Sequence, residues 1–257
     1  MYWRREGRVA TVTIDNRPLN VLSSAVCREL KQAVEQADDD PAVSVVVITG
    51  AGARAFVAGG DIREFPQLLR AGAEAVREHA RLLQSALNLI STLRKPVVAA
   101  INGVALGGGC ELAIACDLRI AEEQVMIGVP EIKLGIFPGG GGTQRLPRLV
   151  GEGRAKELLF TGESLTAREA ERIGLVNGVV PKGEALPAAT RLASRIAGMS
   201  LPALTRAKWC VNEGADLPLA EALEVELGYF GEVFQTEEAA EGVSAFMENR
   251  PPRFAQR

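Results

Sequence analysis

An α/β core continued by an all-helical tail is the architecture this 257-residue sequence predicts. Three observations carry it. Apolar runs of strand length alternate with segments of helical spacing, every strand-like run falls before residue 181, and only helical patterns remain from Leu186 onward. Residues 9–14 alternate with period two and read as a strand. Ser23 is placed to cap a helix reaching about Asp38, and residues 43–49 form a continuous β-branched run, the pattern of a buried strand. Helical spacing over 71–93 is followed by strands at 97–101, 118–121, 125–127 and 176–180, with helices near 143–150, 153–160 and 167–173. Strands separated by helices call for right-handed ββα or βαβ crossovers, with the loops gathered at one end of the sheets. The tail reads as helices at 186–197, 202–212, 219–230 and 237–247. The expected division is a layered core over residues 1–195 and a helical region over 196–257. Amphipathic helices with little core of their own pack on something else, so that region is expected to form an interface. No internal sequence repeat and no low-complexity linker is present.

Composition narrows the function. A formal charge of -3 and a pI near 5.5 give no basic field for nucleic acid, and Asp38-Asp39-Asp40 reads as the solvated close of a helix. The four cysteines, Cys27, Cys110, Cys116 and Cys210, lack metal-ligand spacing; Cys110 and Cys116 sit among apolar residues or glycines, as buried thiols of a reducing compartment do. Met1-Tyr2-Trp3-Arg4-Arg5-Glu6 lacks the apolar centre of a signal peptide, and no apolar stretch approaches the roughly 20 residues needed to span a bilayer. The expectation is a cytoplasmic protein with no membrane partner.

Several familiar sites fail on inspection. The strand at 43–49 runs into Gly50-Ala51-Gly52-Ala53-Arg54-Ala55, an imitation of a dinucleotide fingerprint, but Gly59 and Gly60 interrupt the helix that should receive a pyrophosphate. Pro138-Gly139-Gly140-Gly141-Gly142-Thr143 lacks the lysine of a phosphate-binding loop and reads as a flexible wall admitting a substrate tail. There is no G-x-S-x-G elbow, and the single histidine, His79, lies in a charged helical pattern, the setting of a surface or partly covered residue. A serine-histidine triad and a metal site are therefore not expected.

Two glutamates remain. Glu111 follows Gly107-Gly108-Gly109-Cys110 between a strand-like run and a helix-like one, so it sits where a helix start leaves backbone N–H groups unpaired. The helix dipole alone also favours an acid there. Glu131 follows Gly128-Val129-Pro130 within an apolar neighbourhood, where a carboxylate must find a partner, shift its pKa or do chemistry. Gly60, before Asp61 and a helix start at Ile62, repeats the donor arrangement of Gly108. Two such N–H groups on one oxygen make an oxyanion hole, and carboxylates beside it can move protons, which together describe enolate chemistry.

The blocks Phe56-Val57-Ala58-Gly59-Gly60-Asp61-Ile62, Lys95 through Leu112 with its glycine run and Glu111, Gly128-Val129-Pro130-Glu131, and residues 138–145 together resemble the crotonase, or enoyl-CoA hydratase/isomerase, superfamily. Thr161-Gly162 and Gly242-Val243-Ser244-Ala245-Phe246 extend the likeness over nearly the whole chain. The resemblance implies repeated ββα turns forming two nearly perpendicular sheets, then helices that make a homotrimer or a homohexamer of two trimers. It implies that the amides of Gly60 and Gly108 hold a thioester oxygen, that Glu111 delivers hydroxide to the β carbon and that Glu131 gives the α carbon its proton. The implied reaction is hydration of a trans-2-enoyl-CoA to a 3-hydroxyacyl-CoA, as in fatty acid β-oxidation. Coenzyme A enters as part of the substrate and no separate cofactor is expected. By the same resemblance Ala58, Gly59, Asp61 and Ile62 line the adenine and pantetheine path. Arg17 and Leu19 contact coenzyme A from an N-terminal loop shorter than the lysine-containing version, and Phe246 reaches a neighbour's coenzyme A. Asn249 stands where the family often has lysine, and Gly60 where alanine is common. The alternatives are Δ3-Δ2-enoyl-CoA isomerisation, a specialised 3-hydroxyacyl-CoA dehydration, or a non-catalytic RNA-binding or scaffold role, the last opposed by the lack of a basic stripe.

Overall fold

A polar hairpin opens the chain in the computed structural model, which describes residues 1–254. β1 (Tyr2–Glu6) pairs antiparallel with β2 (Val9–Ile14). The sequence gives no apolar alternation for β1 because Arg4, Arg5 and Glu6 face solvent on an edge strand. α1 (Ser24–Asp39) is capped by Ser23, whose side chain accepts from the Val26 N–H, and it closes at the acidic run.

The chain then winds three times through one unit. β3 (Val45–Gly50) and β4 (Ala55–Val57) lead to α2 (Phe65–Ala71) and α3 (Ala73–Thr92); β5 (Val97–Ile101) and β6 (Val104–Leu106) lead to α4 (Gly108–Ala115); β7 (Leu118–Glu122) and β8 (Met126–Gly128) lead to α5 (Gly142–Val150). In each turn the first strand joins a six-stranded sheet and the second a four-stranded one. α6 (Glu152–Thr161), β9 (Ser164–Thr166), α7 (Ala167–Arg172) and β10 (Gly178–Val180) complete both sheets. Their orders are β1-β2-β3-β5-β7-β10 and β4-β6-β8-β9, parallel except at β1 and β9. The repeat is one of geometry and not of residues: β4, β6, β8 and β9 have three residues each, too few for a periodic pattern, which is why the sequence reveals only β8 among them. The helix expected over 71–93 is α3, and a short helix that the sequence did not reveal, α2, precedes it. Gly72, at φ +86°, breaks the path between α2 and α3.

Burial follows strand parity. Val46, Ile48, Val97, Ala99 and Ile101 face the core beneath α1 and α3. Val45, Val47, Val98 and Ala100 face the other way onto α8 (Ala185–Ala197). α8 meets them with Ala185, Ala189, Ala193 and Ala197, a stripe at four-residue spacing that lets the helix lie close to the sheet. Both faces of β3 and β5 are thus covered, which explains their unbroken apolar runs. α9 (Leu201–Gly214), α10 (Leu219–Val233) and α11 (Glu237–Met247) follow. Lys208 on α9 joins this tail to the core, its Nζ donating to Asp117 Oδ2 at 2.9 Å and to the carbonyls of Ile90 and Lys95.

Every residue of α4 is buried, as its apolar sequence requires. Gly109 makes this possible: a Cβ there would stand 1.9 Å from the Val57 carbonyl oxygen, so α4 lies directly on the backbone of β4. Because β4, β6 and β8 are parallel neighbours, the segments leaving their C-terminal ends meet at one edge of the small sheet. Those segments carry Gly60, Gly108 with Glu111, and Glu131.

Candidate active site

Gly60 is set by the N-terminal loop. Asn20, fully buried at φ +53°, donates to the carbonyls of Ala51 and Ala55 and accepts from the Asn16 N–H. Leu22 then pairs beside Gly60, its N–H donating to Gly59 O at 2.9 Å and its carbonyl accepting from the Asp61 N–H at 3.1 Å. That bridge does not use the Gly60 N–H. Gly108 opens α4, where a first-turn N–H has no acceptor within the helix. The two glycines are in contact: a Cβ on Gly108 would lie 3.4 Å from the Gly60 nitrogen. The structure therefore brings together the two donors expected of an oxyanion hole.

Glu111 sits in the first turn of α4 and is 1% exposed. Its Oε1 accepts from the N–H groups of Gly140 at 2.7 Å and Gly142 at 2.8 Å. The glycine loop over 138–142, read from the sequence as a flexible wall, is thus a clamp on this carboxylate. Burial raises the Glu111 pKa, against the two amides and the charge of Arg145, which favour the ionised form.

Glu131 lies in a short 3₁₀ turn, Pro130–Leu134, that β8 feeds through Pro130. Its carboxylate rests on the turn preceding α4, where a Cβ on Gly107 would stand 2.8 Å from Oε1. Its Oε2 is buried and, among the described residues, has no hydrogen-bond partner. Burial, with a smaller contribution from Glu111, pushes its pKa up to about 7, against the pull of its own backbone N–H. The two acids share a site but not an environment: one is held by two loop amides, the other has only its own backbone N–H, with Oε2 left unpartnered. Such a difference is the kind that suits one carboxyl to act as a base and the other as an acid.

The remaining expected contacts are placed as follows. The Asp61 side chain is occupied, capping the turn Ile62–Glu64 at the Arg63 N–H and gripping the Arg63 guanidinium at 2.8 and 2.6 Å. Ala58 and Gly59 lead into Gly60, and Ile62 is exposed beyond it. Arg17 is exposed and paired with Asp15 at 2.7 Å, and Leu19 lies beside it, its carbonyl accepting from the Ala58 N–H. Phe246 projects from α11, 84% exposed. His79 is partly covered, beside Ser24 and Glu64. Sequence reasoning missed Asn20 and the Gly140 and Gly142 amides. The glycine run at 139–142 carries the same signal as the run before Glu111, free N–H groups within reach of a carboxylate.

Known proteins share this arrangement of the whole chain. The family profile described as Enoyl-CoA hydratase/isomerase matches residues 4–257. A crotonyl-CoA hydratase of Syntrophomonas wolfei is 46% identical over 97% of this chain and 95% of its own length. A short-chain-enoyl-CoA hydratase of Clostridium acetobutylicum is 44% identical over 96% of this chain and 94% of its own. The crystal structure of an enoyl-CoA hydratase from Bacillus anthracis superposes with a TM-score of 0.92 at 39% identity, covering 100% of this chain and 99% of that one.

Proposed function

Because this chain belongs to the enoyl-CoA hydratase/isomerase family, we propose that it catalyses the reversible addition of water to trans-2-enoyl-CoA, giving the 3-hydroxyacyl-CoA. It is an enoyl-CoA hydratase, a lyase. The observation that carries the reading is the unequal pair of carboxylates beside two converging amides at the start of α4.

The chemistry follows from that inequality. The thioester oxygen accepts from the Gly60 and Gly108 N–H groups, which draw charge from the β carbon and stabilise the enolate as it forms; one such donor is worth roughly a hundred- to a thousandfold in rate. Glu111, favoured in its ionised form by Gly140 and Gly142, takes a proton from water as the oxygen bonds to the β carbon. Glu131, protonated below about pH 7, gives its proton to the α carbon as the enolate collapses to the thioester. The pair has then exchanged protonation states, and exchange with solvent restores it.

The wider reading rests on chemistry of the same kind. Short enoyl chains are the proposed substrates, the class named in the two bacterial hydratases. Backbone of Ala58 and Gly59, with Ile62 and Leu19, lines the pantetheine and adenine path, and Arg17 answers the phosphates in place of a longer lysine-bearing loop. Coenzyme A arrives with the substrate and no other cofactor is required. The apolar residues exposed on the tail, among them Leu219, Leu227, Phe230 and Phe246, fit a trimer or a hexamer of two trimers in which Phe246 meets a neighbour's substrate. No helix among the described residues is long and apolar enough to cross a membrane. A cytoplasmic role in β-oxidation is the setting proposed. Loss of the conjugated thioester absorbance of crotonyl-CoA in ¹⁸O-labelled water tests the reaction: label in the product supports hydration, and a product without label overturns it in favour of isomerisation.

A further inference from the structure

We propose that Gln84 is a positioning residue for Glu111, acting through the peptide unit between Gly139 and Gly140. This rests on the hydratase reading above and goes beyond it to a side chain that touches neither carboxylate. Gln84 lies on α3, and its Nε2 donates to the Gly139 carbonyl at 2.7 Å. The N–H on the opposite side of that planar unit, on Gly140, is the one that donates to Glu111 Oε1 at 2.7 Å. A trans peptide points its C=O and N–H in opposite directions, so fixing one fixes the other. A hydrogen bond to the carbonyl also polarises the unit and strengthens its N–H as a donor.

The second donor to Glu111 is held in another way. The unit between Gly141 and Gly142 has its carbonyl bonded by the N–H groups of Gln144 and Arg145, the first turn of α5. Arg145 also donates to the Gly140 carbonyl at 3.2 Å and to Asn88 on α3. Of the two units that donate to Glu111, only 139–140 has its carbonyl held by a side chain among the described contacts, in a run of glycines with no side chains of their own. Gln84 is half-buried, and its side chain makes no other hydrogen bond among those described.

The charged groups facing Glu111 are Arg145 from α5 and Glu131 from the turn after β8. The neighbouring Cys110 thiol is kept protonated by burial, and α3 approaches with Leu83 and Gln84, neither of which titrates. Removing the Gln84 donor therefore loosens one of the two amides that favour the Glu111 carboxylate while leaving its charged surroundings intact.

The test compares Gln84→Met, which keeps the length and loses the donor, with Gln84→Lys, which keeps a donor. For Gln84→Met the acid limb of the kcat/KM profile for crotonyl-CoA should rise by about one pH unit, roughly a tenfold loss below it, with KM above the limb changed less than about twofold. Gln84→Lys should leave that limb unraised. In the free enzyme, infrared difference titration of the Glu111 carboxyl, assigned by its loss in Glu111→Gln, should show the same upward movement for Gln84→Met. In the Glu111→Gln background, Gln84→Met should cost nothing further. Unchanged limb and titration in Gln84→Met, or equal shifts in both variants, overturn the role of Gln84. A wild-type enzyme that leaves crotonyl-CoA unhydrated overturns the hydratase reading instead, and the infrared titration still decides the positioning.

Discussion

Glu131 packs against Gly107 so closely that a methyl group on the glycine would stand 2.8 Å from Oε1 of the glutamate. Gly107 is also at φ +53°, outside the range that side-chain-bearing residues favour. Gly107→Ala should therefore displace the Glu131 carboxylate and strain the turn into α4. A displacement near 1 Å costs on the order of a hundredfold in rate, and the strain about 1 kcal/mol of stability. Steady-state kinetics beside urea unfolding would separate the two; a variant with wild-type kcat would show that Glu131 has no need of its seat.

Gly109 predicts a purely structural effect. Its Cβ would meet the Val57 carbonyl oxygen at 1.9 Å, so Gly109→Ala must push α4 off β4, and overpacking of this kind costs about 1–3 kcal/mol or more. Gly153→Ala, in α6 with nothing within 4 Å, should stabilise by about 0.5–1 kcal/mol. Urea midpoints of opposite sign for the two variants are the expected outcome.

The pH profile should be a bell belonging to the singly protonated pair. Its alkaline limb should lie near 7, where Glu131 loses the proton that hydration needs, and its acid limb where Glu111 is protonated. Hydration takes up no net proton at the thioester, so dehydration of the 3-hydroxyacyl-CoA should follow the same profile. An alkaline limb far above 7 in both directions would remove Glu131 from the role of acid.

Stability should respond to Glu131 with a definite sign. Its folded pKa is raised, so its neutral form supports folding fully below about pH 4.5, and this support is lost as pH rises through about 7. Glu131→Gln should accordingly stabilise the protein near pH 8 relative to the wild type, by up to about 3 kcal/mol, and change little near pH 4. Thermal unfolding at the two pH values measures this; equal effects at both would contradict the burial of a carboxylate whose Oε2 has no donor.

Much of this site was legible because its parts are local. Glycine next to a helix start, followed by Glu111, states in a few residues where free N–H groups and a carboxylate meet. The long buried strands β3 and β5 and the helices of the tail were equally readable from their periodicity. What escaped was short or non-local. β4, β6 and β9 have three residues each and gain their identity only from parallel neighbours. The hold of Gly140 and Gly142 on Glu111 spans about thirty residues of chain, and Gln84 reaches the same loop from still farther away. Asn20 looked like part of a substrate loop because nothing in its neighbours shows that its amide reaches Ala51 and Ala55.

The central claim is that two carboxylates of unequal environment divide the protons of one water molecule. Turnover of crotonyl-CoA by Glu111→Gln, Glu131→Gln and the double variant tests it most directly. Each single variant should lose about a hundred- to ten-thousandfold in kcat, and the double variant should lose little more than the worse single, since the two act as a unit. A single variant that still hydrates at the wild-type rate would contradict the account.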